Sequence, residues 1–311
     1  MTLSQLEYIL AVDKYRHFQT AADHSFVTQP TLSMQIKKLE DVMGVLIFDR
    51  SRQPVQPTPI GKMIIEQARE TVNAAKKIEE IIEEDHGEPT GDISIGVIPT
   101  IGPHLIPGLI SGLTARYNID FQFEEALTNE VIEKVKTGVL DAGIVSTPLH
   151  EKGIDEIILY YEPLWVYASE GHPLLQADTV HPDDLLTDSL WLLTDGHCFR
   201  EHVLKLCSRN IPASFNKFRY TTGSLEALTR IIDRQYGYTL LPHLATLEMT
   251  EEKRRFLRSF SKPVPKREVS LIVRSGFLKR RLINLIREEI VNNLQQGLIL
   301  ETEDAVLKWK D

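Results

Sequence analysis

From Lys62 to His86 the chain runs through charged and aliphatic residues without a single glycine or proline. Thr58 suits a helix N-cap, Pro59 suits the first turn, and Gly87 with Pro89 suits the stop, so the segment predicts one long helix. Its apolar residues Ile64, Ala68, Ala75, Ile78 and Ile82 form a narrow seam close to the 3.5-residue period of a coiled coil. Such a helix cannot cover its own seam. It needs either a second copy of the chain or the domain that precedes it, and a homodimer is the more economical expectation. The helix also divides the sequence into two parts of different character, in keeping with two or three units for 311 residues.

The part before it reads as short helices. Leu3, Leu6, Ile9, Leu10 and Val12 fall roughly on one face, and "HFQTAADHSF" reads as a second short helix with Ala21 and Ala22 as packing residues. A polar break then introduces "PTLSMQIKKLEDVMG", whose Leu32, Ile36, Leu39 and Met43 make a buried stripe ended by Gly44. The opposite face carries Pro30, Met34, Lys37 and Lys38, flanked by Thr31 and Ser33. Two helices joined by a tight polar turn match helix-turn-helix geometry, in which the second helix meets base edges in the major groove. Candidate DNA contacts are therefore Thr28, Gln29, Thr31, Ser33, Lys37 and Lys38, with Pro30 shaping the turn. Thr28 is also the residue best placed to cap the helix. The following "VLIFDRSRQPVQPTPIG" reads as a wing whose Arg50 and Arg52 meet phosphates. Residues 1–62 hold seven Lys/Arg against six Asp/Glu, and the whole chain carries −9, so DNA binding depends on placement rather than on net charge. The competing reading is a plain three-helix bundle with a solvated face.

Beyond Gly91, strands alternate with helices: "DISIGVIPT", "DFQFEEA", "DAGIVS", "EPLWVYAS", "SLWLLT", "YGYTLLP" and "VSLIVR" as strands, with "PHLIPGLISGLTARY", "NEVIEKVKTG" and "LKRRLINLIREEIVNNLQ" as helices. This predicts an α/β fold with substantially parallel sheets, and a ligand cleft beyond the strand ends at Pro99–Thr100 and Ser146–Thr147. The only two cysteines, Cys198 and Cys207, lie together in "TDGHCFREHVLKLCSRN". No apolar run nears the roughly 20 residues of a membrane span, and "MTLSQLEYILAVDKY" lacks secretory-signal features, so a cytoplasmic protein is expected. In that compartment the cysteines are inert, metal-bound or redox-active. A zinc site from His197, Cys198, His202 and Cys207 matches no common paired ligand spacing.

The order of parts resembles the LysR-type transcriptional regulators. "FQTAADHSFVTQPTLSMQIKKLEDVMGVLIFDRS" is similar to their signature helix-turn-helix, "PTPIG" to the start of their dimerising linker helix, and "DAGIV" and "YGYTLLP" to strands of their effector domain. The resemblance spans essentially the whole chain. It implies an α/β protein with an N-terminal all-α winged helix-turn-helix and a two-subdomain, periplasmic-binding-protein-like effector domain. The expected divisions are 1–58 for DNA binding, 59–87 for the linker helix and 91–311 for regulation, the last split into 91–163 plus 269–300 and 164–268. The implied partners are a double-stranded DNA operator, RNA polymerase and further copies of the chain, as a dimer through the linker helix and a tetramer. No cofactor, metal or membrane is implied, and the chain is not expected to be an enzyme.

Within the family, "DGHCFREHVLKLC", "GVIPTIGPHLIP" and "EEALTNE" resemble the hydrogen-peroxide-sensing subgroup. That likeness implies Cys198 as the residue peroxide oxidises and Cys207 as the one that resolves it to a disulfide. It also implies a peroxide pocket of Thr100, Thr128, His197 and Arg267. The local chemistry agrees. "TDGHC" looks like a turn opening a helix, whose N-terminus favours a thiolate, and His197 or Arg200 offers added polarity. If both cysteines belong to one helix, nine residues separate them by about 13.5 Å, whereas a disulfide needs Cα atoms roughly 4.4–6.8 Å apart. A bond between them would then require the helix to unwind. A metabolite-responsive LysR regulator with inert cysteines and a thiol peroxidase are the rival readings. The tail after Gln296 carries no assigned role.

Overall fold

The computed structural model describes residues 1–85, 91–185, 189–207, 222–277, 279–294, 298 and 306–307. The chain forms two compact units, Met1–Gly87 and Glu88–Asp311. In the first, α1 (Leu3–Tyr15), α2 (Phe18–His24) and α3 (Gln29–Met43) precede a two-stranded wing, β1 (Phe48–Asp49) and β2 (Gln56–Pro57), and the long α4 (Pro59–Asp85). A capping box closes the start of α1, where Thr2 and Gln5 exchange hydrogen bonds. The core gathers Leu6, Ile9, Val12, Ala21, Ala22, Leu32, Ile36, Leu39 and Phe48.

The helix α4 starts as its sequence dictates: Thr58 Oγ1 accepts the Gly61 N–H at 2.9 Å and donates to the Leu46 carbonyl at 2.7 Å. Gly61 is obligatory, because a Cβ there would stand 2.0 Å from the Ile47 carbonyl oxygen. The expected seam is corrected in part. Ala68 turns inward with Ile65 and Val72 against the unit's own core, and Arg69 pairs with Asp13 of α1 at 3.1 Å. Ile78 is 65% exposed and Ile60 and Met63 are exposed too, while Ile82 lies outside the described side chains. The early turns of α4 thus serve their own domain, and of the expected seam Ile78 is left open together with Ile60 and Met63.

In the second unit β3 (Gly91–Val97), α5 (Gly102–Arg116), β4 (Ile119–Glu125), α6 (Thr128–Lys136) and β5 (Ala142–Thr147) alternate as expected. The 15-residue β6 (Ile154–Ala168) follows, with the short β7 (Thr179–Val180), α7 (Cys198–Leu206), α8 (Leu225–Ile232), β8 (Tyr238–Pro242), α9 (His243–Leu247) and α10 (Glu251–Arg254). Then come β9 (Leu257–Phe260), β10 (Lys266–Arg274), α11 (Arg280–Asn292) and β11 (Val306–Leu307). The sheet is mixed rather than substantially parallel. β3 runs parallel to β4 and β5, but β10 is antiparallel to β5 and β6, and β6 is antiparallel to β8 and β9. The reversal falls at β10, which lies between β5 and β6 and runs against both. "SLWLLT" is not a strand among the described residues; only Leu190 bridges to Tyr238.

β6 is the spine. Ile154–Pro163 pairs with β10, and Leu164–Ala168 pairs with β8. Two hydrophobic cores form along it. One contains Ile95, Ile144, Leu159, Leu271 and Ile286 with Cys198; the other contains Val166, Leu240, Leu228 and Phe260 with Cys207.

Candidate functional site

The helix α7 opens directly after a turn in which Gly196 takes φ +93°, a conformation that favours glycine. Cys198 is its first residue and Cys207 its C-cap; both are free thiols, 2% and 4% exposed. The helix leaves one core at its first residue. Cys198 belongs to the cluster of Ile101 and Leu244, while Phe199, Val203 and Cys207 belong to that of Leu225 and Tyr238. Its nine residues hold the cysteines at the two ends of a rod, about 13.5 Å apart by helical rise. Burial pushes the Cys207 thiol up to about 11, although the Tyr238 hydroxyl, 4.0 Å away, pulls the other way.

A buried polar node lies beside the start of α7. Arg267 on β10 is fully buried and faces Glu162 across the ladder on β6, which is equally buried. Its Nε and Nη2 donate to Glu162 Oε2 at 2.8 and 2.7 Å, its Nη1 donates to Thr100 Oγ1 at 2.9 Å, and Nη2 also donates to the Thr100 carbonyl at 3.0 Å. Glu162 Oε1 accepts the Leu244 N–H at 2.8 Å. Every charge is therefore matched, which is the condition for a buried ion pair to be tolerated. The guanidinium stacks 5.4 Å over the ring of Phe199, the neighbour of Cys198. Arg267 is thus the buried cation held against the first turn of α7. Arg200 instead pairs with Asp195 at 2.9 Å and donates to the Leu193 carbonyl.

Several buried polar atoms of the same unit have no partner. The buried hydroxyls of Thr128, Ser146 and Tyr160 have no hydrogen-bond partner in the protein, nor has either ring nitrogen of His202. His197, the N-cap residue of α7, makes no side-chain cap bond; it lines a cleft of about 460 Å³ with Pro99, His104, Leu127, Gly223 and Glu226. Burial lowers the His197 and His104 pKa values. Thr100 and Thr128 sit next in sequence to cleft residues but are themselves buried. Among the described residues no group of three or more His, Cys, Asp or Glu is placed to hold a metal, and no helix is long and apolar enough to cross a membrane. Glu162 and Tyr160 were missed in the sequence, where His202 was weighed only as a zinc ligand. A lone carboxylate opening the apolar run "EPLWVYAS" was the available signal for the first.

In the first unit Thr28 caps α3, its Oγ1 accepting the Thr31 N–H at 3.4 Å and lying 2.8 Å from Thr31 Oγ1. Pro30, Lys37 and Lys38 are exposed, and Gln29, Thr31 and Ser33 are half-buried on the outer side. Arg50, the candidate phosphate contact on the wing, already has partners within the unit. It pairs with Glu40 Oε2 at 2.9 Å, donates to Ser33 at 3.2 Å and stacks 4.9 Å over Phe18. Glu40 is 4% exposed and its other oxygen accepts the Ile47 N–H at 2.8 Å, so this carboxylate fastens the wing to α3. Arg52 is more open and pairs with Asp49 at 3.1 Å.

A winged helix-turn-helix unit followed by a two-cored α/β unit defines a DNA-binding transcriptional regulator. Residues 3–62 match the model of the bacterial regulatory helix-turn-helix protein, lysR family, and residues 86–295 match the LysR substrate binding domain. The chain belongs to the LysR family. It is 34% identical to the hydrogen peroxide-inducible genes activator of Haemophilus influenzae, over 96% of this chain and all of that one. It is 33% identical to the DNA-binding transcriptional dual regulator OxyR of Escherichia coli, over 93% of this chain and 95% of that protein. A full-length cysteine-to-aspartate variant of OxyR from Pseudomonas aeruginosa superposes with a TM-score of 0.81 at 33% identity, covering 98% of this chain and 99% of that one.

Proposed function

We propose that this chain is a hydrogen-peroxide sensor that converts oxidation of Cys198 into a change in DNA binding. One observation carries the reading: the two cysteines stand at opposite ends of one helix and are embedded in two different cores. The peroxide-related names of relatives matching over nearly their full length support the choice of oxidant.

The Cys198 thiolate attacks one peroxide oxygen and the O–O bond breaks. The electron pair leaves with the distal oxygen, which takes a proton and departs as water, and the sulfur is oxidised to a sulfenic acid. The first turn of α7 and the Arg267 guanidinium supply positive potential for the anionic sulfur and leaving oxygen, and the Thr100, Thr128 and His197 side chains offer hydrogen bonds to orient the peroxide. The Cys207 thiolate then attacks the sulfenic sulfur, the S–O bond breaks, and the oxygen again leaves as water. In the helical state Cys207 is distant and, by burial, protonated. Unwinding α7 removes both obstacles, so the disulfide and the helix exclude each other. Loss of α7 repacks both cores and transmits the change to a homo-oligomer. Exposed Ile60, Met63 and Ile78 on α4 give that oligomer a dimerising surface.

The test is mass spectrometry of the thiol state after substoichiometric peroxide, with a DNA footprint of the same sample. A Cys198–Cys207 bond with an altered footprint is expected. A Cys198→Ser protein that still switches would point instead to a metabolite sensor using the cleft.

A further inference from the structure

Phe26 is the most exposed large apolar side chain among the described residues, at 96%. Its backbone is equally unusual, at φ +52°. The local hydrogen bonds explain the angle. The Val27 N–H donates to the Ala22 carbonyl at 3.1 Å and the Phe26 N–H to the Asp23 carbonyl at 3.3 Å, which together form a Schellman stop on α2. That stop needs a left-handed residue, the role glycine fills best, and the chain does use Gly44 at φ +68° to end α3. At the end of α2 it places a bulky aromatic instead, and turns the ring out to water. The left-handed backbone serves the stop, but the ring gives nothing to the fold, and its full exposure suits a surface that meets a partner.

The place of Phe26 identifies that partner. It stands two residues before Thr28, the N-cap of α3, and so at the helix end that approaches base edges in a helix-turn-helix. The outward face of α3 continues the apolar character through exposed Pro30 and through Met34, one turn later and 60% exposed. We propose that Phe26 is a DNA-contacting residue whose ring lies against apolar atoms of the duplex, a thymine methyl or a deoxyribose, beside the bases that α3 faces. The proposal rests on DNA binding through α3.

The test uses the full-length reduced chain and a duplex that the wild-type protein selects from a randomised library. Phe26→Asn and Phe26→Gly suit the left-handed backbone, so their Tm should equal or exceed that of wild type. Affinity should fall about tenfold, the scale of one lost base-pair contact. No charge is lost, so the slope of log K against log salt should stay unchanged, whereas Lys37→Ala should reduce it. A second duplex with uracil for thymine separates the two sources. A methyl contact makes the Phe26 loss vanish on that duplex, and a sugar contact leaves it intact. Binding of the Phe26 variants within twofold of wild type would overturn the proposal, as would a loss traceable to altered self-association. Failure of the wild-type chain to select any duplex would count against DNA reading by α3 itself.

Discussion

His202 sits midway along α7, fully buried, with no hydrogen-bond partner in the protein on either nitrogen. Burial is the main cause holding its pKa down at about 3, and the positive charges of Arg267 on β10 and Lys205 on its own helix add to it. An unpaired buried polar group costs about 1–3 kcal/mol, so the helix carries a destabilising residue at its centre. Replacing it with leucine should stabilise the reduced protein by about that amount, with a Tm gain of roughly 2–4 °C per kcal/mol. The same change should slow disulfide formation, because the helix that must unwind has become firmer.

The pH dependence has a definite sign. In the helix the folded pKa is depressed, and in an unwound segment it returns to about 6.5, so below 6.5 the unwound state binds the extra proton. Acidification from pH 6.5 towards 3 therefore favours the unwound, disulfide-bonded state by about 1.4 kcal/mol per pH unit; above 6.5 this contribution is absent. For a two-electron couple one proton is worth about 30 mV per pH unit. Redox titration in dithiol buffers at pH 5.5 and 4.5 should show a potential about 30 mV per unit less steep in wild type than in His202→Leu. Comparing the two proteins cancels the other histidines. Identical pH slopes together with a lowered Tm in His202→Leu would refute the reasoning.

Two further outcomes follow from the same contacts. Arg50→Ala leaves the Glu40 carboxylate buried without its cation. It should cost the first unit about 1–3 kcal/mol of stability, discounted for the partial exposure of the arginine, as read by thermal unfolding. Its salt slope should change less than that of Lys37→Ala. Thr100→Val removes the hydroxyl that accepts from Arg267 while the backbone carbonyl continues to accept. Stopped-flow thiol oxidation should show a peroxide rate about 10–100-fold lower, with a Tm shift of only a few degrees.

What was legible in the sequence divides along physical lines. Period and punctuation were sufficient for α3, where Thr28, Leu32, Ile36, Leu39 and Gly44 each do what their spacing implies. The alternation of β3, α5, β4, α6 and β5 was readable for the same reason. Pairing direction was not, because a parallel and an antiparallel strand buried on both faces share one apolar pattern. Hence the sheet is mixed, because β10 runs against both of its neighbours, β5 and β6. Polar networks were least legible. Arg50 and Glu40 were counted as surface charges, yet their meeting is set by how the wing folds back across ten positions of chain. Glu162 and Arg267 lie 105 residues apart and are brought opposite only by the register of β6 and β10. That register makes the candidate site a property of the whole sheet. Arg267 can reach Thr100 and Phe199 only while β10 keeps its alignment with β6, and β6 also spans both cores. A disulfide that dissolves α7 removes Phe199 from beneath the guanidinium and pulls one residue from each core. On the proposed mechanism the oxidised state is therefore more than a local adjustment at two sulfurs, and it reorganises the unit that holds them.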